Sequence, residues 1–261
     1  MKHTTLVVLA CLMALAGTAA ADETTFCNTF ITTLPFTIST QGHYCFNKNL
    51  STAITSGNAI TINADFVVLD LNNFKLGGGS AGLGTNTNGI FANNRRNITV
   101  RNGNIRGFRI GVNLDGDTTA SGNHVVENNV LDGNTVMGMH VIGDTLIVRN
   151  NLVSNTGANT LGEYPTAMYV YGSYYLVSAV RDNVVTGVFD ASVPTDYTIG
   201  FNGNGYLTID RNSLSVFGSS ATRRCMHVDS GYLRDNLCLG QTDAYAFFHA
   251  AALIIGNYPA Q

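Results

Sequence analysis

The sequence predicts an all-β fold in which the chain winds into a parallel solenoid of about eight coils. Three observations lead to this prediction. A short motif built around asparagine recurs along the chain, a second short apolar strand precedes each copy, and no stretch after the N-terminal segment shows the apolar period of an α-helix. Short strands that repeat at a variable interval without crossover helices are typical of a solenoid.

The asparagine motif consists of an apolar residue, two variable positions, then Asn or Gly, and another apolar residue within two positions. Its copies are spaced 31, 26, 22, 32, 29, 24 and 21 residues apart. An asparagine at a buried bend can bond both the backbone and the asparagine of the next coil, so we predict an internal asparagine ladder. The motif positions are Asn72, Gly103, Asn129, Asn151, Asn183, Asn212, Asn236 and Asn257.

The second strand of each repeat is four to six residues long and rich in Val, Ile and aromatic residues. A propeller blade needs about 40 residues, which is too long for copies 21 and 22 residues apart. Stacked coils spaced about 4.8 Å apart instead accept insertions at their bends, which accounts for the variable interval. The second strands are predicted at 59–63, 89–93, 111–115, 138–142, 167–171, 199–202, 225–229 and 246–249.

The N-terminal segment has the order of a secretory signal. A basic residue, Lys2, precedes an apolar run at 6–16, and three alanines at 19–21 form a small-residue cleavage site. We therefore expect a secreted or periplasmic protein, and no second segment has the length of a membrane span. The predicted domains are a signal peptide at 1–21, an N-terminal cap at 22–41 and a β-helix domain at 42–261.

Four cysteines follow the signal segment, and an even number in an exported chain favours disulfides over a metal site. Four cysteines allow three pairings. The simplest consists of two local pairs, Cys27 with Cys45 and Cys225 with Cys238, which would staple the two ends of the molecule. Four separate buried thiols are the alternative.

The composition excludes some partners. The chain has 17 acidic and 14 basic residues, a net charge of −3, and only 12% charged residues. Binding to nucleic acid needs clustered positive charge, so we expect no nucleic-acid partner. Disorder is excluded as well, because 45% of the residues are hydrophobic.

These features resemble the right-handed parallel β-helix (pectate-lyase-like) superfamily. The resemblance rests on the asparagine motif, the export signal and the sequence GHYCF at 42–46, which leads into NAITINAD at 58–65. It covers residues 40–257 and implies a right-handed parallel β-helix. Members include polysaccharide lyases, C5-epimerases of uronic-acid polymers and glycan-binding solenoids, so the resemblance is specific for fold and not for activity.

The second strands are predicted to carry a functional surface. Alternation points residues such as Val112 and Leu114 inward, and the outward positions gather His, Tyr, Asp and Asn where a plain surface would carry Thr, Ser, Lys and Glu. In the superfamily that the chain resembles, active sites lie at this location. The first outward column is predicted as Thr61, Phe91, Asn113, His140, Tyr169, Gly200, His227 and Phe247. The second is predicted as Asn63, Asn93, Asp115, Ile142, Tyr171, Asn202, Asp229 and His249.

Three of these residues, His140, Tyr169 and His227, are candidate catalytic residues. Removal of the proton next to a uronate carboxyl needs a base, an acid and a neutraliser of the carboxylate. His140 is the candidate base and Tyr169, on the next coil, its acid or base partner. The candidate substrate-binding residues are Asn113, Asp115, Tyr171, Asn202, Arg223, Arg224, Asp229 and His249.

Each candidate also has a plain interpretation as a surface rung or a solvated turn. Asp115 and Asp229 lie four coils apart, about 19 Å, so they do not form a hydrolytic pair. The outward columns hold no Lys or Arg and no acidic cluster of the kind that binds calcium in many members of the superfamily. We therefore predict no cofactor and no metal, and a calcium site is unsupported.

The sequence thus predicts an exported protein whose partner is a polysaccharide. One hypothesis is a lyase or C5-epimerase that acts on uronic-acid-containing glycans. The other is a non-catalytic glycan-binding or surface-interaction solenoid.

Overall fold

The computed structural model describes residues 27–189, 197–216, 222–240, 247–255 and 258–260. The predicted signal segment, residues 22–26 of the predicted cap and Asn257 lie outside the described residues. Within the described part the chain is all β apart from one 3-10 turn at Gly79–Ala81. No helix in these ranges is long and apolar enough to cross a membrane.

The strands are short, and most are separated by turns that contain Gly or Asn. They are β1 (Thr29–Ile31), β2 (Phe36–Ile38), β3 (Gly42–Phe46), β4 (Leu50–Ser51), β5 (Ser56–Ile62), β6 (Val67–Asp70), β7 (Lys75–Gly77), β8 (Asn86–Asn93), β9 (Ile98–Arg101), β10 (Asn104–Arg106), β11 (Ile110–Asp115), β12 (Val125–Glu127), β13 (Val130–Asp132), β14 (Met137–Ile142), β15 (Ile147–Arg149), β16 (Leu152–Thr156), β17 (Thr166–Tyr171), β18 (Ser178–Arg181), β19 (Val184–Val188), β20 (Tyr197–Asn204), β21 (Leu207–Asp210), β22 (Ser213–Val216), β23 (Thr222–Arg234), β24 (Leu237–Leu239), β25 (Phe247–Ile255) and β26 (Tyr258–Ala260).

Parallel pairing arranges these strands as three faces of a nearly closed solenoid, which confirms the predicted all-β architecture of parallel strands. Face one contains β2, β5, β8, β11, β14, β17, β20 and the first halves of β23 and β25. Face two contains β1, β3, β6, β9, β12, β15, β18, β21 and the second halves of β23 and β25. Face three contains β4, β7, β10, β13, β16, β19, β22, β24 and β26.

The core runs along the axis and is filled from all three faces. On face one, Val112 pairs in register with Met139, and Met139 with Met168. All three side chains are buried. Face three contributes Leu131 and Val153, which are also buried. The inward positions are apolar on each strand because a side chain there has no access to water.

Asparagines line the bend between faces two and three. Four consecutive hydrogen bonds of 2.9–3.2 Å, each from Nδ2 to Oδ1, join Asn129, Asn151, Asn183, Asn212 and Asn236. The N–H of Gly103 donates to the Oδ1 of Asn129 at 3.0 Å, as the N–H of Asn129 does to the Oδ1 of Asn151 at 3.1 Å. The coil of Gly103 therefore keeps the backbone bond and lacks the side-chain bond. The side chain of Asn72 is bonded differently from those of the asparagines in this series: its Nδ2 donates to the carbonyl of Phe46 at 2.8 Å.

The predicted cysteine pairs are confirmed. Cys27 pairs with Cys45, and Cys225 pairs with Cys238, each with a Cα–Cα distance of 5.8 Å, as disulfides require. Among the described residues, Cys27, His43 and Cys45 are close enough together to hold a metal, but the two cysteines form the first disulfide.

His124 is a buried histidine in the turn before β12, with 1% of its surface exposed. Its Nε2 lies 2.9 Å from the Ser121 Oγ, and the Ile98 N–H donates to its Nδ1 at 3.4 Å, so the ring is neutral with the proton on Nε2. The pKa of His124 is lowered from 6.5 to about 4, chiefly by burial and in addition by the Arg96 guanidinium, whereas Asp144 and Asp65 oppose the shift.

We expect acid to destabilise the fold through His124. The imidazole of His124 takes up its second proton near pH 6.5 in the unfolded chain and only near pH 4 in the folded chain. The contribution of neutral His124 to stability is therefore complete above pH 6.5 and is lost as the pH falls to 4. The free energy of unfolding should fall by about 3 kcal/mol over that range. Denaturant unfolding at pH 7 and pH 4 measures it, with His124→Gln as the variant that lacks the proton site. An equal pH dependence in the wild type and His124→Gln would contradict this prediction.

Candidate functional site

The outward column of face one brings together the polar residues that the sequence indicated, with two changes. Asn202 and Phe248 occupy the levels predicted for Gly200 and Phe247. The reason is that Phe201, which is buried, takes the inward level between Met168 and Met226. The column reads Thr61, Phe91, Asn113, His140, Tyr169, Asn202, His227 and Phe248.

The second column also differs from the prediction. Tyr171 pairs with Asn204, which therefore holds the place predicted for Asn202. His249 pairs in register with Val228 and not with Asp229, so the backbone register differs from the one that the second column predicted for it. The prediction counted the alternation from the apolar residues at the strand starts, whereas the register in the structure differs by two residues on β20 and by one residue on β25.

His140 and Tyr169 form a stacked pair on adjacent coils. Their ring centroids are 4.9 Å apart with an interplanar angle of 25°, and both side chains are half-buried. Burial lowers the pKa of His140, while Asp115 opposes and Arg109 reinforces that shift. Burial also raises the pKa of Tyr169, and the nearby carboxylate of Asp229 adds to this increase. At neutral pH the pair therefore consists of an unprotonated imidazole and a protonated phenol.

Asn113 orients His140. Its Oδ1 lies 2.9 Å from the Nδ1 of His140, and only 7% of Asn113 is exposed. With Oδ1 accepting, the His140 proton is on Nδ1, which leaves the Nε2 lone pair available to take a proton. Asn113 is thus engaged with the histidine through its Oδ1, and Asn202 lies one coil beyond Tyr169 on the same column.

His227 lies on the same column but apart from this pair. Three coils separate it from His140, which corresponds to about 14 Å. Its Nε2 is 3.7 Å from the Oδ1 of Asp229. Burial lowers the pKa of His227, with Asp229 opposing and Arg224 reinforcing the shift. His227 therefore belongs to the same surface as His140 but does not reach the same substrate atom.

The two candidate arginines, Arg223 and Arg224, lie in different environments. Arg223 pairs in register with Thr198, and its Nε donates to the Gly240 carbonyl at 3.0 Å. Arg224 pairs with Ile199, a residue of the cleft described below, and its charge acts on His227. Arg224 is consequently the arginine that adjoins the site.

A cleft of about 470 Å³ opens beside the His140–Tyr169 pair. Tyr169 and Asn202 form part of its floor, and the loop at residues 157–165 forms a wall through Glu163 and Tyr164. Arg109 anchors this loop by a two-bond ion pair with Glu163, with N–O distances of 2.6 and 3.0 Å. The volume falls within the range of ligand pockets, about 300–1,000 Å³.

Tyr171 continues the site along the strand. It is half-buried, and its ring meets that of Tyr174 edge-on, with 6.1 Å between centroids. Asp115 lies two residues beyond Asn113 on its strand, and its Oδ1 accepts a hydrogen bond from the Gly116 N–H at 2.8 Å. Asp115 and Asp229 follow the column residues Asn113 and His227, whose strands lie four coils apart, consistent with their exclusion as a hydrolytic pair.

The wall of the cleft was not predicted from the sequence. Arg109 and Glu163 are 54 residues apart, and neither belongs to a predicted outward column. The available signal was the 32-residue interval between Asn151 and Asn183, the longest of the seven, because it requires an insertion in that coil. Part of the insertion is the loop at 157–165 that covers the site.

No family model matches the chain, and no curated protein matches it either.

Proposed function

We propose that face one binds a polysaccharide and that the His140–Tyr169 pair carries out acid–base chemistry on a uronic-acid residue, as a lyase or a C5-epimerase. The observation that carries the proposal is the stacking of an imidazole with a lowered pKa on a phenol with a raised pKa, beside an open cleft. Groups with opposite proton occupancy at neutral pH are what proton abstraction and proton donation require.

In the lyase reaction, the Nε2 of His140 takes the proton from C5 of the uronate. The electron pair of that C–H bond forms the C4–C5 double bond, the C4–O4 bond breaks, and the hydroxyl of Tyr169 protonates O4. Water then removes the proton from His140 and returns one to Tyr169. In the epimerase reaction, C5 instead receives a proton on its opposite side, and the C4–O4 bond stays intact.

The acidity of C5 depends on neutralisation of the neighbouring carboxylate. Asn202 lies one coil beyond Tyr169 and lines the cleft, so its amide is the donor in this proposal. Arg224, in register with Ile199 of the cleft, supplies positive charge for the sugar carboxylate. The negative charge of Glu163 is balanced by Arg109, so this wall does not repel an anionic chain.

The proposal also places the chain in the right-handed parallel β-helix superfamily, with about eight coils and a secreted or periplasmic location. The parallel strands and the asparagine hydrogen bonds support the fold. The two disulfides support the location, because such bonds persist in oxidising compartments.

A non-catalytic glycan-binding solenoid is the second candidate. The observation that favours it is the series of aromatic rings formed by Tyr171, Tyr174 and Tyr206, whose adjacent centroids are 6.1 and 6.5 Å apart. Rings of this kind bind the apolar faces of sugars and require no acid or base.

One experiment separates these functions. The purified protein is incubated in D₂O with a panel of uronate polymers, and we expect at least one polymer to give a product. A lyase produces the ultraviolet absorbance of an unsaturated uronate, whereas an epimerase introduces deuterium at C5, which NMR detects. Binding without either signal would establish the non-catalytic alternative. The absence of both binding and product across the panel would refute a uronate polymer as partner.

A further inference from the structure

A second aromatic surface lies at the bend between faces one and two, next to the site described above. Tyr174 connects the two surfaces, because its ring meets Tyr171 on one side and Tyr206 on the other, with centroids 6.1 and 6.5 Å away. The Tyr174 hydroxyl donates to the side-chain oxygen of Asn204, which fixes the ring in this position. A continuous line of tyrosines therefore leads away from Tyr169 and around the bend.

The line of rings ends at a pocket of about 360 Å³. Val177, Tyr206 and Tyr232 contribute its apolar surface, and they come from three successive coils. Tyr206 is 51% and Tyr232 61% exposed, so much of each tyrosine is open to a ligand. Thr208 adds a hydroxyl to the lining.

The chemistry of this pocket differs from that of the cleft beside Tyr169. None of the described side chains that line the pocket is charged, whereas the cleft has Glu163 in its wall and adjoins Arg224. A carboxylate placed against Val177 and the tyrosine rings would lose hydration without gaining a positively charged partner. An uncharged sugar ring loses little there, because its C–H face packs on the rings and its hydroxyls reach the tyrosine and threonine hydroxyls.

We propose that the Val177–Tyr206–Tyr232 pocket binds an uncharged sugar residue of the same polysaccharide chain that occupies the cleft beside Tyr169. We choose this occupant because the rings from Tyr171 to Tyr206 are continuous, so that one extended chain can contact all of them. The inference rests on the proposed function and narrows it: the substrate is a mixed glycan, with neutral residues next to the uronate, and not a uronate homopolymer.

A glycan array tests the proposal with the full exported protein. The array carries fragments of three classes, namely neutral polysaccharides, uronate homopolymers and mixed glycans that contain both kinds of residue. We expect the wild type to bind mixed fragments more tightly than homopolymers. Tyr206→Ala and Tyr232→Ala should each weaken this binding about tenfold. Tyr206→Phe, which keeps the ring and loses only the hydroxyl, should weaken binding less than Tyr206→Ala does. Leu152→Ala, on the outer side of face three, should bind as the wild type does.

Other outcomes overturn the proposal. One is that both alanine variants bind mixed fragments as tightly as the wild type does. The others are that the wild type prefers uronate homopolymers, or that it binds none of the three classes. Failure of the proposed chemistry looks different. If mixed fragments bind through Tyr206 and Tyr232 but give neither an unsaturated product nor deuterium at C5, the proposed pocket is supported and the catalytic role of His140 is refuted. If mixed fragments are converted equally well by the wild type and by Tyr206→Ala, the proposed chemistry is supported and the proposed pocket is refuted.

Discussion

His140→Gln and Tyr169→Phe should each lower kcat on a uronate polymer by at least about 100-fold, the usual contribution of a positioned acid or base. Glutamine keeps the polar contact with Asn113 but cannot accept the C5 proton, and phenylalanine keeps the stacked ring but cannot protonate O4. Both substitutions preserve the packing of the pair, so the thermal unfolding midpoint should change little. Initial rates on the converted polymer and circular dichroism measure the two effects.

The pH profile of the wild type should report the same pair. The pKa of His140 lies below its ordinary value of 6.5, so the base is unprotonated at neutral pH and activity should decline only at acidic pH below 6.5. The pKa of Tyr169 lies above its ordinary value of 10.0, so the acid keeps its proton until pH exceeds 10. A broad plateau between these limits is the expected result. A rate that falls between pH 7 and 9 would contradict the assignment of Tyr169.

Two further variants sharpen the test of the pair. His227→Gln should change KM more than kcat, because His227 lies three coils from His140 on the same column. Leu152→Ala, on face three, should leave both constants unchanged. Full turnover by a folded His140→Gln or Tyr169→Phe protein would remove that residue from the mechanism.

Asn183→Ala should lower the free energy of unfolding by about 3–5 kcal/mol, the largest stability effect that we expect from a single side chain. Its Nδ2 donates to the Val148 carbonyl at 3.0 Å and to the Asn212 Oδ1 at 3.0 Å. Its Oδ1 accepts hydrogen bonds from the backbone and side chain of Asn151, both at 3.0 Å. The alanine variant leaves these buried groups without partners, at about 1–3 kcal/mol for each unsatisfied group, partly relieved by relaxation of the coils.

Chemical denaturation followed by circular dichroism measures this loss. Asn86→Ala is the matched control, because Asn86 is exposed at the start of β8 and its replacement should cost less than about 0.5 kcal/mol. Asn183→Asp tests the direction of the bonds, since a carboxylate keeps the shape but cannot donate, and it should destabilise at least as much as alanine. A loss below about 1 kcal/mol for Asn183→Ala would show that the column of asparagines contributes little to stability.

The sequence determined the features that depend on local periodicity. The recurring asparagines, the alternation on each strand and the local cysteine pairs were visible because each arises from a short segment that repeats. The neighbourhood of His140 and Tyr169 followed from the same rule, since equivalent positions of successive coils stack in register. This is why the architecture and the main column could be predicted without any long-range contact being known.

Only the tertiary structure decided how the site is completed. The inward placement of Phe201 moved Asn202 next to Tyr169, and the pairing of His249 with Val228 took His249 out of the second column. The ion pair of Arg109 with Glu163 joins residues 54 positions apart. The register of a strand depends on the strands on both sides of it, and an inserted loop packs according to the coils beneath it, so neither outcome is encoded in the local pattern of apolar and polar residues.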